Sequence, residues 1–173
     1  MGGMRDWRTA MNIHARLRAL RVASLCICGM VVASAAAAAD TDSCTLLTPA
    51  QVSAAVGVKV GEGQHSAENY VRTCTWTPTA SSDVKAVTLF SQAATAYDSG
   101  KRNTSAAGAK AGVAMSPASV GDEGYFLTIG GSQVSLFFKK GAESFKVSVY
   151  AKLPADKLQA MELVLAKQAI AKL

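Results

Sequence analysis

Between residues 124 and 150 apolar and polar side chains alternate with a period of two in three successive runs. That is the pattern of a half-buried antiparallel sheet. On this reading Tyr125, Leu127 and Ile129 share one face of the first strand, Val134, Leu136 and Phe138 one face of the second, and Phe145, Val147 and Val149 one face of the third. Gly131-Ser132 and Gly141-Ala142 each place glycine first in a two-residue loop, where a type II′ hairpin needs positive φ. Loops of that length set Leu127 opposite Leu136 and Ile129 opposite Val134, then Phe138 opposite Phe145 and Leu136 opposite Val147. Lys140 faces Glu143 beside the second turn as a favourable cross-strand pair.

Helical spacing brackets this meander. Thr48, Pro49 and Gln51 read as an N-cap, a first-turn proline and the far end of a capping box, with Val52 and Val56 following and Gly57 as the stop. After Leu153-Pro154 the apolar positions Leu158, Met161, Leu165 and Ala169 form a stripe, with Lys157, Glu162, Lys167 and Lys172 as the charged positions of an amphipathic helix that covers the sheet. Two further strands are expected, over 69–77, ended by Pro78, and over 84–90. Ser91 then caps a middle helix running through Gln92 and Tyr97 towards Asn103. Small residues dominate 106–119, with Gly108, Gly112 and Pro117, and predict a loop or an irregular edge segment. The predicted class is α+β: a single antiparallel sheet of about five strands flanked by a short N-terminal helix, a middle helix and a long C-terminal helix.

The first 39 residues change the reading of charge and compartment. Arg16, Arg18 and Arg21 precede an apolar run over 22–32 that ends in alanines up to Ala39, the form of a secretory signal peptide. Met4 and Met11 are alternative starts, and cleavage after Ala39 leaves one domain over 40–173. The leader takes Arg5, Arg8, Arg16, Arg18 and Arg21 against Asp6 out of 18 basic and 12 acidic residues, so the net charge falls from +6 to +2. A dispersed charge of that size gives no reason to expect a nucleic-acid partner. No transmembrane span is expected in the processed chain, which reads as a periplasmic or secreted monomer. Of the four cysteines, Cys26 and Cys28 lie in the leader, so Cys44 and Cys74 have one possible connectivity in an oxidising compartment.

Candidate chemistry is sparse. His65 is the single histidine after the leader, and no serine sits in a Gly-x-Ser-x-Gly elbow. Asp122-Glu123 is the one adjacent acidic pair there, and consecutive residues of an extended chain point to opposite sides. Gly57, Gly61 and Gly63 lack the Gly-Lys-Ser/Thr that a phosphate loop requires. No cofactor or metal is expected. The sheet's second face holds more interest: Phe126 falls opposite Phe137, with Tyr150 further along among Lys139 and Lys146. Rings flanked by lysines suit a platform for a sugar, a lipid headgroup or a partner's acidic segment. The ordinary alternative is that a helix or the 106–119 segment covers them as core.

Three short motifs carry a resemblance: Cys44-Thr45-Leu46-Leu47-Thr48 before a short helix, Cys74-Thr75-Trp76, and Gly121-Asp122-Glu123-Gly124-Tyr125 ahead of a meander containing Lys139-Lys140-Gly141. Together the chain resembles a family of small exported bacterial lipoprotein-like domains of unknown function. The resemblance implies a PsbP-like α+β fold and export, and it implies no catalytic residues. The expected function is that of an exported, non-catalytic binding or accessory protein of the cell envelope, taking an envelope protein or a small ligand. The alternative is a small hydrolase using His65 or the pair Asp122 and Glu123.

Overall fold

The computed structural model describes residues 41–68, 70–108 and 112–173. The expected signal peptide and the expected cleavage after Ala39 fall outside the described residues. A 3-10 turn at Ser43–Thr45 leads into helix α1, Pro49–Val56. Its capping box is formed as expected, with Thr48 and Gln51 exchanging side-chain and backbone bonds, and Gly57 closes it at φ 72°. Seven strands follow, two more than the periodicity predicted: β1 Gln64–His65, β2 Thr73–Trp76, β3 Val84–Ala93, β4 Val113–Pro117, β5 Glu123–Ile129, β6 Gln133–Lys140 and β7 Glu143–Ala151. They form one antiparallel sheet in the order β1-β2-β3-β7-β6-β5-β4. Helix α2, Ala94–Gly108, joins β3 to β4, and α3, Ala155–Ile170, ends the chain.

The two added strands lie at the sheet's edges and are short, so neither offers enough alternating residues to read. Pro117 sits at the end of β4, where a missing N–H costs no ladder bond to a second neighbour. Of the strand expected over 69–77, residue 69 lies outside the described residues and Thr73–Trp76 is strand, while β3 runs on to Ala93. Ser91 is therefore no helix cap. It is buried in β3 opposite Phe145, and its hydroxyl donates to the Thr41 carbonyl at 3.1 Å.

One sheet face carries Cys74, Trp76, Val87, Leu89, Leu136, Phe138, Phe145 and Val147 and forms the main core with α1 and α3. The Cys44–Cys74 disulfide ties the chain ahead of α1 to β2 within it. Helix α2 packs on the other face, where Tyr97 meets Tyr125 at 5.2 Å. Both pairings expected across the β6–β7 turn are present, Phe138 with Phe145 and Leu136 with Val147, and Lys140 lies opposite Glu143.

The β5–β6 register differs from the expected one by a single residue. Ile129 pairs with Gln133, so the loop is Gly130-Gly131-Ser132 rather than two residues, and Gly130 and Gly131 both hold positive φ, 59° and 74°. In a strand a one-residue shift exchanges the two faces. Phe126 now lies opposite Leu136 in the main core, 7 % exposed, and Tyr125 takes its place opposite Phe137. Leu127 and Ile129, expected in the core, share the second face with Tyr125.

Candidate functional site

The second face is only partly covered. At the α2 end, Tyr125 stacks on Phe137 at 5.1 Å, and Lys139 lies 5.0 Å from the Tyr97 ring while bridging Asp98 at 2.8 Å and Glu123 at 3.1 Å. Lys139 is therefore committed to holding α2 on the sheet. The ammonium of Lys146 lies over the Phe137 ring at 5.6 Å, and Tyr150 is 45 % exposed. Of the five candidate residues on this face, Phe137, Lys139, Lys146 and Tyr150 are on it and Phe126 is not. Its replacement there, Tyr125, follows from the loop length alone.

Towards the other end the sheet forks. The ladder between β6 and β7 stops at Leu136 and Val147 although both strands continue, β6 still paired with β5 and β7 with β3. Beyond that point the Ser135 and Ser148 hydroxyls meet at 2.8 Å. The Val149 amide, two residues past the last β6 partner, donates instead to the Glu162 carboxylate of α3 at 3.0 Å. A hollow of about 340 Å³ opens over this fork. Its apolar lining includes Leu127, Ile129, Val134, Val149 and Leu158, and its polar lining includes Lys85, Lys146, Lys152, Gln133 and Tyr150. Three lysines and no carboxylate line it.

Glu162 was read from the sequence as a charged position of an amphipathic helix, and it is fully buried. Burial pushes its carboxyl up to about 8, against smaller downward pulls from the Val149 amide, the Lys146 ammonium and the Leu136 amide. Oε2 has no hydrogen-bond partner among the described residues. The signal was present in the spacing, because 162 is four residues after Leu158 and three before Leu165, on the apolar stripe.

The candidate hydrolytic residues are not brought together. His65 on β1 bonds Asp42 through Nε2 at 2.8 Å, and that bond is the main cause holding the Asp42 carboxyl below its usual range. Cys44 lies near both, but its sulfur is bonded to Cys74, which leaves fewer ligands than a zinc site uses. Asp122 accepts from the Gly141 amide at 2.8 Å and from Lys140, which lowers its carboxyl and pins the β6–β7 turn. Glu123 is lowered by Lys101 and Lys139, tying β5 to α2 and β6. Five strand spacings, about 24 Å in all, separate β1 from β5.

Among the described residues no helix is long and apolar enough to cross a membrane. The disulfide is compatible with an extracellular or periplasmic protein. No protein-family model, no curated protein and no solved structure matches this chain, and the functional reading rests on the geometry of the fork and its hollow.

Proposed function

We propose that this is an exported, non-catalytic binding or accessory protein of the cell envelope that takes its ligand or partner on the second sheet face, at the fork between β6 and β7. The 340 Å³ hollow supports this most directly, since it combines an apolar floor with three lysines and a tyrosine hydroxyl. That is the usual composition of a small-molecule site, and the size is at the lower end of the ordinary range. The roles of His65, Asp122 and Glu123 in local pairs support binding over hydrolysis. The family resemblance and the disulfide agree with export, to the periplasm or outside the cell after cleavage near Ala39.

The test passes envelope extract over the immobilised oxidised protein and over a Lys146→Ser/Tyr150→Ser variant. The same preparations are screened for esterase, amidase and phosphatase turnover, with His65→Ala and Asp122→Asn as controls. The expected result is a component retained by the parent and lost from the double variant. Turnover that disappears in either control would overturn the proposal in favour of the hydrolase.

A further inference from the structure

The geometry points to a single-chain anionic amphiphile, a free fatty carboxylate in its simplest form, as the occupant of the second face, with its acid group over the β6–β7 fork and its chain running beneath α2. This rests on the reading of that face as a binding surface and names the ligand class. Two adjoining hollows carry it. The first, over the fork, holds Lys85, Lys146 and Lys152. The second, of about 330 Å³, lies between α2 and the sheet and is lined by Asn103, Thr104, Gly108, Val113, Leu127 and Ile129, with no charged side chain.

Leu127 and Ile129 line both hollows, so an apolar strip continues from the basic end to the neutral one. Ile129 is 44 % exposed, a large apolar side chain facing solvent in the middle of the strip. Charge is distributed to match. Among the described residues Lys101, Lys139 and Lys140 are held in salt bridges, whereas Lys85, Lys146 and Lys152 form none. Lys59, Lys157, Lys167 and Lys172 are likewise outside salt bridges among the described residues but do not line this hollow. The three lysines that line it have no paired carboxylate, with Lys85 donating to the Ser82 carbonyl at 2.6 Å and Lys146 lying over Phe137. Size agrees as well: each hollow takes about eleven heavy atoms at ~30 Å³ apiece. A carboxylate with a twelve-carbon chain, about fourteen heavy atoms, is held within the roughly twenty-two places of the pair with room to spare, its head at the lysines and its tail across Ile129. A cationic head meets three like charges there and is disfavoured.

The experiment is calorimetric titration of the oxidised protein with dodecanoate below its micellar range. Dodecyltrimethylammonium, butyrate and vesicles of mixed phosphatidylglycerol and phosphatidylcholine are run beside it. Saturable one-to-one binding of dodecanoate is expected, with the cationic amphiphile and butyrate each bound more weakly by about tenfold or more. The triple variant Lys85→Ser/Lys146→Ser/Lys152→Ser is expected to lose about tenfold for dodecanoate while keeping its melting temperature. Ile129→Asp, at an exposed position, abolishes binding by placing a charge on the chain's path. Equal affinity for anionic and cationic amphiphiles, or binding to vesicles without binding to dodecanoate, would overturn the inference. If dodecanoate fails while the component retained through Lys146 and Tyr150 persists, the ligand class is wrong and the binding surface stands. If both fail, the binding reading falls with it.

Discussion

Replacing Glu162 with glutamine tests the energetic centre of the fork. The carboxyl ionises near its ordinary value of 4.5 in the unfolded chain and near 8 in the fold, chiefly because burial disfavours the charged form. Between those values the folded protein keeps a proton that the unfolded chain has released. Its contribution to stability is therefore complete below pH 4.5, declines as pH rises, and is lost above pH 8. The slope is about 1.4 kcal/mol per pH unit, or about 5 kcal/mol between the two plateaus.

Other shifted groups leave that window clear. The depressed carboxyls of Asp42, Asp122 and Glu123 lose their contributions as pH falls below the ordinary carboxylate range. The raised Tyr97, Tyr125 and Lys139 lose theirs above about pH 10. Glutamine retains an oxygen to accept the Val149 amide and has no proton to release. Urea unfolding of the oxidised protein, followed by far-ultraviolet circular dichroism from pH 5 to 9.5, is expected to show a steep decline in the parent and a nearly flat profile in Glu162→Gln. Parallel profiles would refute the assignment of a buried, protonated Glu162. Lys146→Met, which removes a cation that favours the charged form, is expected to move the parent's upper break to higher pH.

Three further outcomes follow from the packing. Cys44→Ala/Cys74→Ala opens a cross-link with a sequence separation of 30 and is expected to cost about 3 to 4 kcal/mol in urea unfolding, on the chain-entropy model. Phe126→Ala, in the main core, is expected to cost about 3 to 5 kcal/mol, whereas Phe137→Ala, half-buried on the second face, costs about 1 to 2. The opposite order would show that the β5–β6 register is the one a two-residue loop requires. Gly63→Ala places a methyl 2.5 Å from the Cys74 sulfur and 2.8 Å from the Trp76 indole nitrogen, and is expected to lower the melting temperature by several degrees, about 1 to 3 kcal/mol of overpacking.

The sequence by itself determined the parts whose causes lie within a few residues. Thr48, Pro49, Gln51 and Gly57 specify α1 because each satisfies or omits a bond of the helix terminus. Alternation specifies the three meander strands, and the 158-to-169 stripe specifies α3. The Cys44–Cys74 bond is the one pairing expected once Cys26 and Cys28 are assigned to a leader, and it is present. Tertiary structure decided what depends on distant partners. One extra loop residue exchanged the faces of β5, sending Phe126 to the core and leaving Leu127 and Ile129 to floor a hollow. The edge strands β1 and β4 exist because β2 and β5 offer them backbone bonds, and their own side chains carry little pattern. Glu162 lies buried because β6 and β7 part above it and expose the Val149 amide, a donor that only a group from another element reaches. Periodicity records which residues face alike; the loop's length and the fork decide which face that is.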